Sequence, residues 1–427
     1  MGAQRCMPVI MLVLTMATAH NSVRGQPSSE PLLDQAALVY QGAFRLPQAA
    51  CGSTYTCFSY GGTAVAYNGA RNSLYIVGHP YGQLTAEVSI PPLVNSRSLS
   101  ALNTASLLQP FADATEGKRN SVNVRTPNSR NVGGQFVYHG KLIISVYSYY
   151  DGSGTQKASH FVRPLDLSAR GQVAGPYRVG SQYPGFVSGY MTAVPAEWQS
   201  SLGGPALTGN CCLAIAGIQS NGPAVSAFDP DKLGAVTPTP ATALVGYPSR
   251  EPLGTGWGTQ STLYNGSTQI TGIVFPPGTR SVLFFGRQGV GPFCYGSGTP
   301  DASLNGQATG HGDRWCYDPA NSSKGTHTYP YVYQIWAYDA KDLAARSWWK
   351  SLSGIHPYAV WSFRLPFERV DNHFLGGVGF DPQNNLIYLS QREEDLNNSP
   401  IIDVFKIAVG LQNGHSSATA VATIKEH

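Results

Sequence analysis

Along this chain apolar and polar positions alternate in paired short runs, each pair split by a turn rich in Gly, Asn, Asp or Pro. The clearest unit spans 371–391, DNHFLGGVGFDPQNNLIYLSQ: a polar lead-in, a Gly-rich apolar run, a DPQNN turn and a second apolar run. Period-two runs of this length, joined by turn residues, predict β-hairpins. Related units begin at Phe58 (FSYGGTAVAYNGARNSLYIVGH), at Arg130 (RNVGGQFVYHGKLIISVYSYYD) and at Gln269 (QITGIVFPPGTRSVLFFGRQ), with a looser one over 187–219. A hairpin unit recurring at intervals of some tens of residues is the signature of a repeat architecture.

Two further runs after each hairpin give units of four antiparallel strands, so the expected fold is all-β, a five-bladed β-propeller. The innermost strands are expected at 60–67, 133–138, 190–194, 270–275 and 374–380. In the third unit the second strand is expected at 212–217, with a short helical turn inside 194–209. The third strands of three units end alike, in VSAFDPDKL, IWAYDAKDL and, more loosely, VRPLDLSAR. The string FRLP occurs at 44–47 and again at 363–366, the second time where an outermost strand belongs. The segment 38–47 is therefore expected to complete the last blade, closing the ring and removing a major unpaired edge. Glycine pairs at 61–62, 133–134 and 376–377 fall early in innermost strands, where another backbone approaches closely.

The first 19 residues carry Arg5, an apolar core over 7–16 and an Ala17-Thr18-Ala19 cleavage pattern, and are expected to be an export signal. That core is shorter than the ~20 apolar residues of a membrane span. Residues 20–37 read as a loose leader, and 38–427 as a single domain. A net charge of +4 without basic clusters argues against nucleic acid and anionic membranes as partners. After the signal, Cys51, Cys57, Cys211, Cys212, Cys294 and Cys316 remain, an even number that in an exported chain favours disulfides. Neighbours in sequence are the expected partners.

This arrangement resembles the five-bladed propellers of secreted carbohydrate-active enzymes and lectins over most of the mature chain. The arabinanase-like glycoside hydrolases of that shape place three carboxylates at the inner ends of the first strands. Here those places read SYGG, RNVGG, VSGY and QITG, and only Asp371 falls near one. The resemblance implies an extracellular, monomeric protein that acts on or binds a glycan, with hydrolysis favoured.

In such a ring the connections entering each innermost strand and those from second to third strand emerge at one end. That gathers His79, Arg130, Tyr149, Asp151, Glu251, Trp257, Arg287, His373, Arg392 and Glu393 at one mouth. Hydrolysis of a glycoside needs two carboxyl groups. Glu251 and Glu393 are the expected acid/base pair, each following an arginine, with Asp151 a further carboxylate. A polyuronate lyase would instead use Tyr149 or His79 as base, with Arg130, Arg287 or Arg392 neutralising the sugar carboxylate. The third reading is a lectin-like or protein-binding surface without proton chemistry. The long insertion at 292–328 belongs to the same mouth and carries Asp313 and Trp315 as substrate contacts. No cofactor is required by any of these readings. If the insertion holds a metal, its carboxylate and backbone oxygens suit calcium, with His311 and Asp313, joined by Asp318 or His327, as the transition-metal alternative.

Overall fold

The structure is a computed structural model that describes residues 2, 29–125, 130–210, 216–345, 351–369 and 371–409. The core of the expected export signal and the Cys211–Cys212 pair lie outside the described residues.

Strand β1 is Leu38–Arg45. The first sheet follows as β2 (Val65–Asn68), β3 (Ser73–Val77), β4 (Thr85–Ser89) and β5 (Leu107–Ala112). The second holds β6 (Arg130–Tyr138), β7 (Lys141–Ser148), β8 (His160–Pro164) and β9 (Ala174–Tyr177). The third holds β10 (Met191–Ala193), β11 (Ala206–Gly209), β12 (Val225–Phe228) and β13 (Ala241–Val245). The fourth begins with β14 (Gln269–Val274) and β15 (Ser281–Gly289). The insertion then adds β16 (Cys294–Thr299), β17 (Trp315–Tyr317) and β18 (Lys324–His327), before β19 (Tyr331–Asp339) and β20 (Ala359–Phe363) complete that sheet. Last come β21 (Leu375–Asp381), β22 (Leu386–Gln391) and β23 (Ile401–Ile407). The described residues thus form five four-stranded antiparallel sheets with few helical turns, and β1 is the fourth strand of the last sheet.

That pairing runs from Leu38↔Ile407 to Arg45↔Ile401, so the first described strand is laddered to the last described one. Arg45 adds a two-pronged ion pair to Asp395, Nε to Oδ2 at 2.8 Å and Nη2 to Oδ1 at 2.9 Å. Tyr40 Oη donates to the buried Asp403 across the same seam.

Five apolar clusters fill the spaces between the sheets. Period-two alternation sends successive side chains of one strand to opposite faces. Val65 packs with Phe44, Tyr388 and Val404 of the last sheet, while its neighbour Ala66 packs with Leu142, Ile144 and Phe161 of the second. The same division serves Ile143 and Met191 between the second and third sheets, Val225 and Phe284 between third and fourth, and Leu283 and Leu389 between fourth and fifth. This explains why the strands are apolar on both faces. Innermost strands approach within 8 Å (Cα–Cα) in the order β2, β6, β10, β14, β21 and back to β2.

Glycine is required where these strands meet. A Cβ on Gly376 would lie 1.9 Å from the Gly62 carbonyl oxygen, and one on Gly134 would lie 2.1 Å from that of Gly189. The shared endings of the third strands also have a cause. Asp229 and Asp339 each cap the turn that follows, accepting from the N–H of Asp231 and of Lys341.

Two expectations change. In the third sheet the second strand holds Ala206–Gly209, earlier than expected, because the helical turn ends at Leu202 and the chain reverses at once through Gly203–Gly204; most of the expected 212–217 lies outside the described residues. The insertion is not a bare loop: β16 pairs with both β17 and β18, and a Cys294–Cys316 disulfide ties it. Cys51–Cys57 forms the second described disulfide.

Candidate functional site

Innermost strands that meet start to start put their lead-in connections, and the connections from second to third strand, at one end of the molecule. All eight exposed aromatic side chains among the described residues lie in those connections. They are Tyr55, Tyr60 and Tyr81 beside the first sheet, Tyr149 and Tyr150 beside the second, and Trp257, Tyr295 and Tyr317 beside the fourth.

Several belong to one arc of ring contacts. Tyr317 meets Tyr329 edge-on at 5.7 Å, and Tyr329 meets Tyr331 at 6.1 Å. The Arg287 guanidinium lies 4.1 Å from the centres of both Tyr331 and Phe374, sandwiched between them. Arg392 lies 5.4 Å from the Phe374 ring and donates to the carbonyls of Tyr60 and Gly61. Tyr60 then meets His79, whose ring stacks on Tyr55 at 4.8 Å and touches Tyr81. The arc thus runs from the insertion, over the ends of β15 and β22, to the loop held by Cys51–Cys57.

The charges along it are unequally matched. Arg392 reaches Glu393 at 3.3 Å. Arg287 makes one side-chain hydrogen bond among the described residues, Nη1 to the Asn372 carbonyl at 2.6 Å, and no ion pair. Its Nε is buried without a partner, although the residue is only 3 % exposed. Burial pushes both guanidinium groups below their ordinary pKa. Asp318, beneath Tyr331, accepts from the Tyr331 hydroxyl at 2.6 Å and lies 2.7 Å from His327 Nδ1. Asp371 is half exposed and accepts from the Tyr329 hydroxyl at 2.5 Å, which pushes that phenol up to about 12. Its other oxygen is 3.3 Å from Nδ1 of His373, which burial holds below its usual pKa.

The structure brings together Arg287, Glu393, His373 and, through Tyr60, His79. The His79 Nδ1 accepts from the Tyr81 N–H, so the neutral ring carries its proton on Nε2, and burial lowers its pKa. Arg130 begins β6, is 3 % exposed, and has Nε and Nη2 without partners among the described residues; Nη1 reaches Asn120 at 3.4 Å. Asp151 is a buried loop organiser. Burial raises its pKa, but bonds from Thr155, Tyr183 and the N–H of Gln156 outweigh that and hold it low. Glu251 stands elsewhere: it is exposed and accepts from Ser353, in the connection between β19 and β20. Tyr149 is exposed at the end of β7, and Trp257 contacts Phe293 and Tyr295 beside the insertion. Asp313 accepts from Ser297 and Arg314 N–H and faces Lys324, while Trp315 is half-buried in β17. No described group of three or more His, Cys, Asp or Glu side chains is placed to hold a metal. The proposed His311, Asp313, Asp318 and His327 set is not assembled.

Tyr60, Tyr329, Tyr331 and Phe374 are the site members the sequence did not single out. Tyr331 and Phe374 stand in or beside strand runs, where an aromatic reads as core. At the opposite end, beside the turns after the innermost strands, a cavity of about 290 Å³ is lined by all five of those strands, including Tyr67, Phe136, Met191, Ile273 and Phe380.

No family model matches the chain, and no curated protein matches it. Among solved structures, an arabinanase of Bacillus subtilis is similar over 86 % of this chain and 96 % of its own, at 10 % identity and a TM-score of 0.42. An endo-arabinanase of Bacillus licheniformis is similar over 85 % and 96 %, at 11 % identity and a TM-score of 0.40. A third structure, from work on the GH130 family of mannoside phosphorylases and β-1,2 mannosidic linkages in Candida mannan, covers 91 % and 99 %, at 11 % identity and a TM-score of 0.41.

Proposed function

We propose that the five sheets are the blades of a five-bladed β-propeller closed by β1, and that the protein acts on or binds a glycan at the aromatic mouth. The observation that carries this reading is the placement of the exposed aromatics, eight of eight among the described residues, in connections at one end. Exposed rings are costly to hydrate and gather where a ligand covers them. Sugars offer apolar faces to stack on rings and hydroxyls to bond to Asp371, Glu393 and His373. The two disulfides support an exported protein. In the hydrolytic form of this reading Glu393, which faces Arg392 in the arc, is the base. Asp151 holds its loop in shape. Elimination is the second reading, favoured by the buried Arg287 that has no ion pair.

A polysaccharide panel tests the reading, scored for binding, new reducing ends and absorbance from unsaturated uronate. Reducing ends without absorbance support hydrolysis, and both together support elimination. Binding without product supports a lectin. A panel that is neither bound nor cleaved overturns the glycan reading.

A further inference from the structure

We propose that the mouth receives a carboxylate-bearing sugar, a uronate, whose anion is taken by the Arg287 guanidinium between Tyr331 and Phe374. This rests on the glycan reading above and names its ligand class. A guanidinium has five N–H donors in a fixed fork. Arg287 commits Nη1 to a backbone carbonyl, and its Nε is buried without a hydrogen-bond partner among the described residues. A buried cation with unpaired donors is unfavourable, and buried charges are ordinarily paired.

The neighbouring anions are already engaged. Asp318 is shared by Tyr331 and His327, Glu393 faces Arg392, and Asp371 accepts from Tyr329. The two rings clamp the guanidinium at 4.1 Å from each centroid, and a guanidinium held in one orientation can bind a carboxylate through two parallel bonds. Tyr60 and Tyr329, on either side in the arc, are placed to stack on the same sugar or the next. A neutral sugar would leave the Arg287 donors unmatched, so the site discriminates as well as binds.

The test compares polygalacturonate with the same polymer after carboxyl reduction, by calorimetry at low and physiological salt, using the full exported chain. Wild type is expected to bind the acidic polymer at least tenfold more tightly, with the preference shrinking as salt rises. Arg287→Gln is expected to erase the preference. Equal affinity for the two polymers overturns the proposal, as does a folded Arg287→Gln variant that keeps the preference. If that variant does not fold, the wild-type comparison decides alone. If neither polymer binds yet sodium acetate raises the wild-type melting temperature and not that of Arg287→Gln, the anion site stands and the glycan reading falls.

Discussion

Asp403 sits on β23 at the seam with β1, fully buried, and burial pushes its carboxyl up to about 8 despite the Tyr40 hydroxyl, with Glu394 adding repulsion. Its folded pKa exceeds the unfolded value, so the native state holds a proton that the unfolded chain releases between pH ~4 and 8. Stability from this group is therefore greatest below about pH 4 and falls as pH rises toward 8. His160 has the opposite sign. Buried between Ser159 and Thr208, it is held at about 3, so it favours the fold above pH ~6.5 and destabilises it as the pH drops. Thermal melts of wild type and Asp403→Asn at pH 5 and pH 8 isolate the first effect, since His160 is common to both. The variant is expected to lose less stability between pH 5 and 8, by a difference on the order of a few kcal/mol. Parallel pH profiles would mean that Asp403 is ionised in the fold.

At the scale of elements, the chain's register is fixed by backbones that touch. Gly376 and Gly62 face each other across the join of the last and first sheets, and Gly377 N–H donates to the Gly62 carbonyl at 2.8 Å. Gly376→Ala puts a methyl into a peptide group that has no rotamer to escape by. It is expected to lose several kcal/mol or fail to fold. Gly325→Ala in β18, with nothing within 4 Å, is expected to stay within about 0.5 kcal/mol of wild type in urea unfolding. Similar losses in both would remove close approach as the reason for the glycine pairs.

The element scale also shows what was legible. The apolar alternation and the FRLP echo located most strands and the pairing of the first with the last, because both depend on local pattern. In the third sheet ALTG at 206–209 and the apolar residues after Cys212 look equally strand-like, and only tertiary pairing shows that 206–209 ladders to β10. The insertion's strands, CYGSGT and KGTH, have no apolar face to read. Glu251 was grouped with the mouth on connection type alone. A long connection can carry a residue outward, as its bond to Ser353 shows.

For the whole molecule, five sheets share cores pairwise, and β1 joins the two ends of the chain. That arrangement fixes the mouth: side chains from residues 55 to 393 meet only because the innermost strands start at one end. Arg287 and Tyr60, more than two hundred positions apart, are linked there through Phe374 and Arg392. The most direct test of the central claim is the affinity of the best-binding glycan for wild type, Tyr60→Ala, Tyr317→Ala and, as a control on an outermost strand, Leu107→Ala. All three side chains are exposed, so the substitutions leave the core intact. Each tyrosine variant is expected to bind about tenfold more weakly, roughly 1.4 kcal/mol, and the Leu107 variant like wild type. Unchanged affinity in both tyrosine variants would contradict the account, because the ligand would then bind away from the aromatic arc.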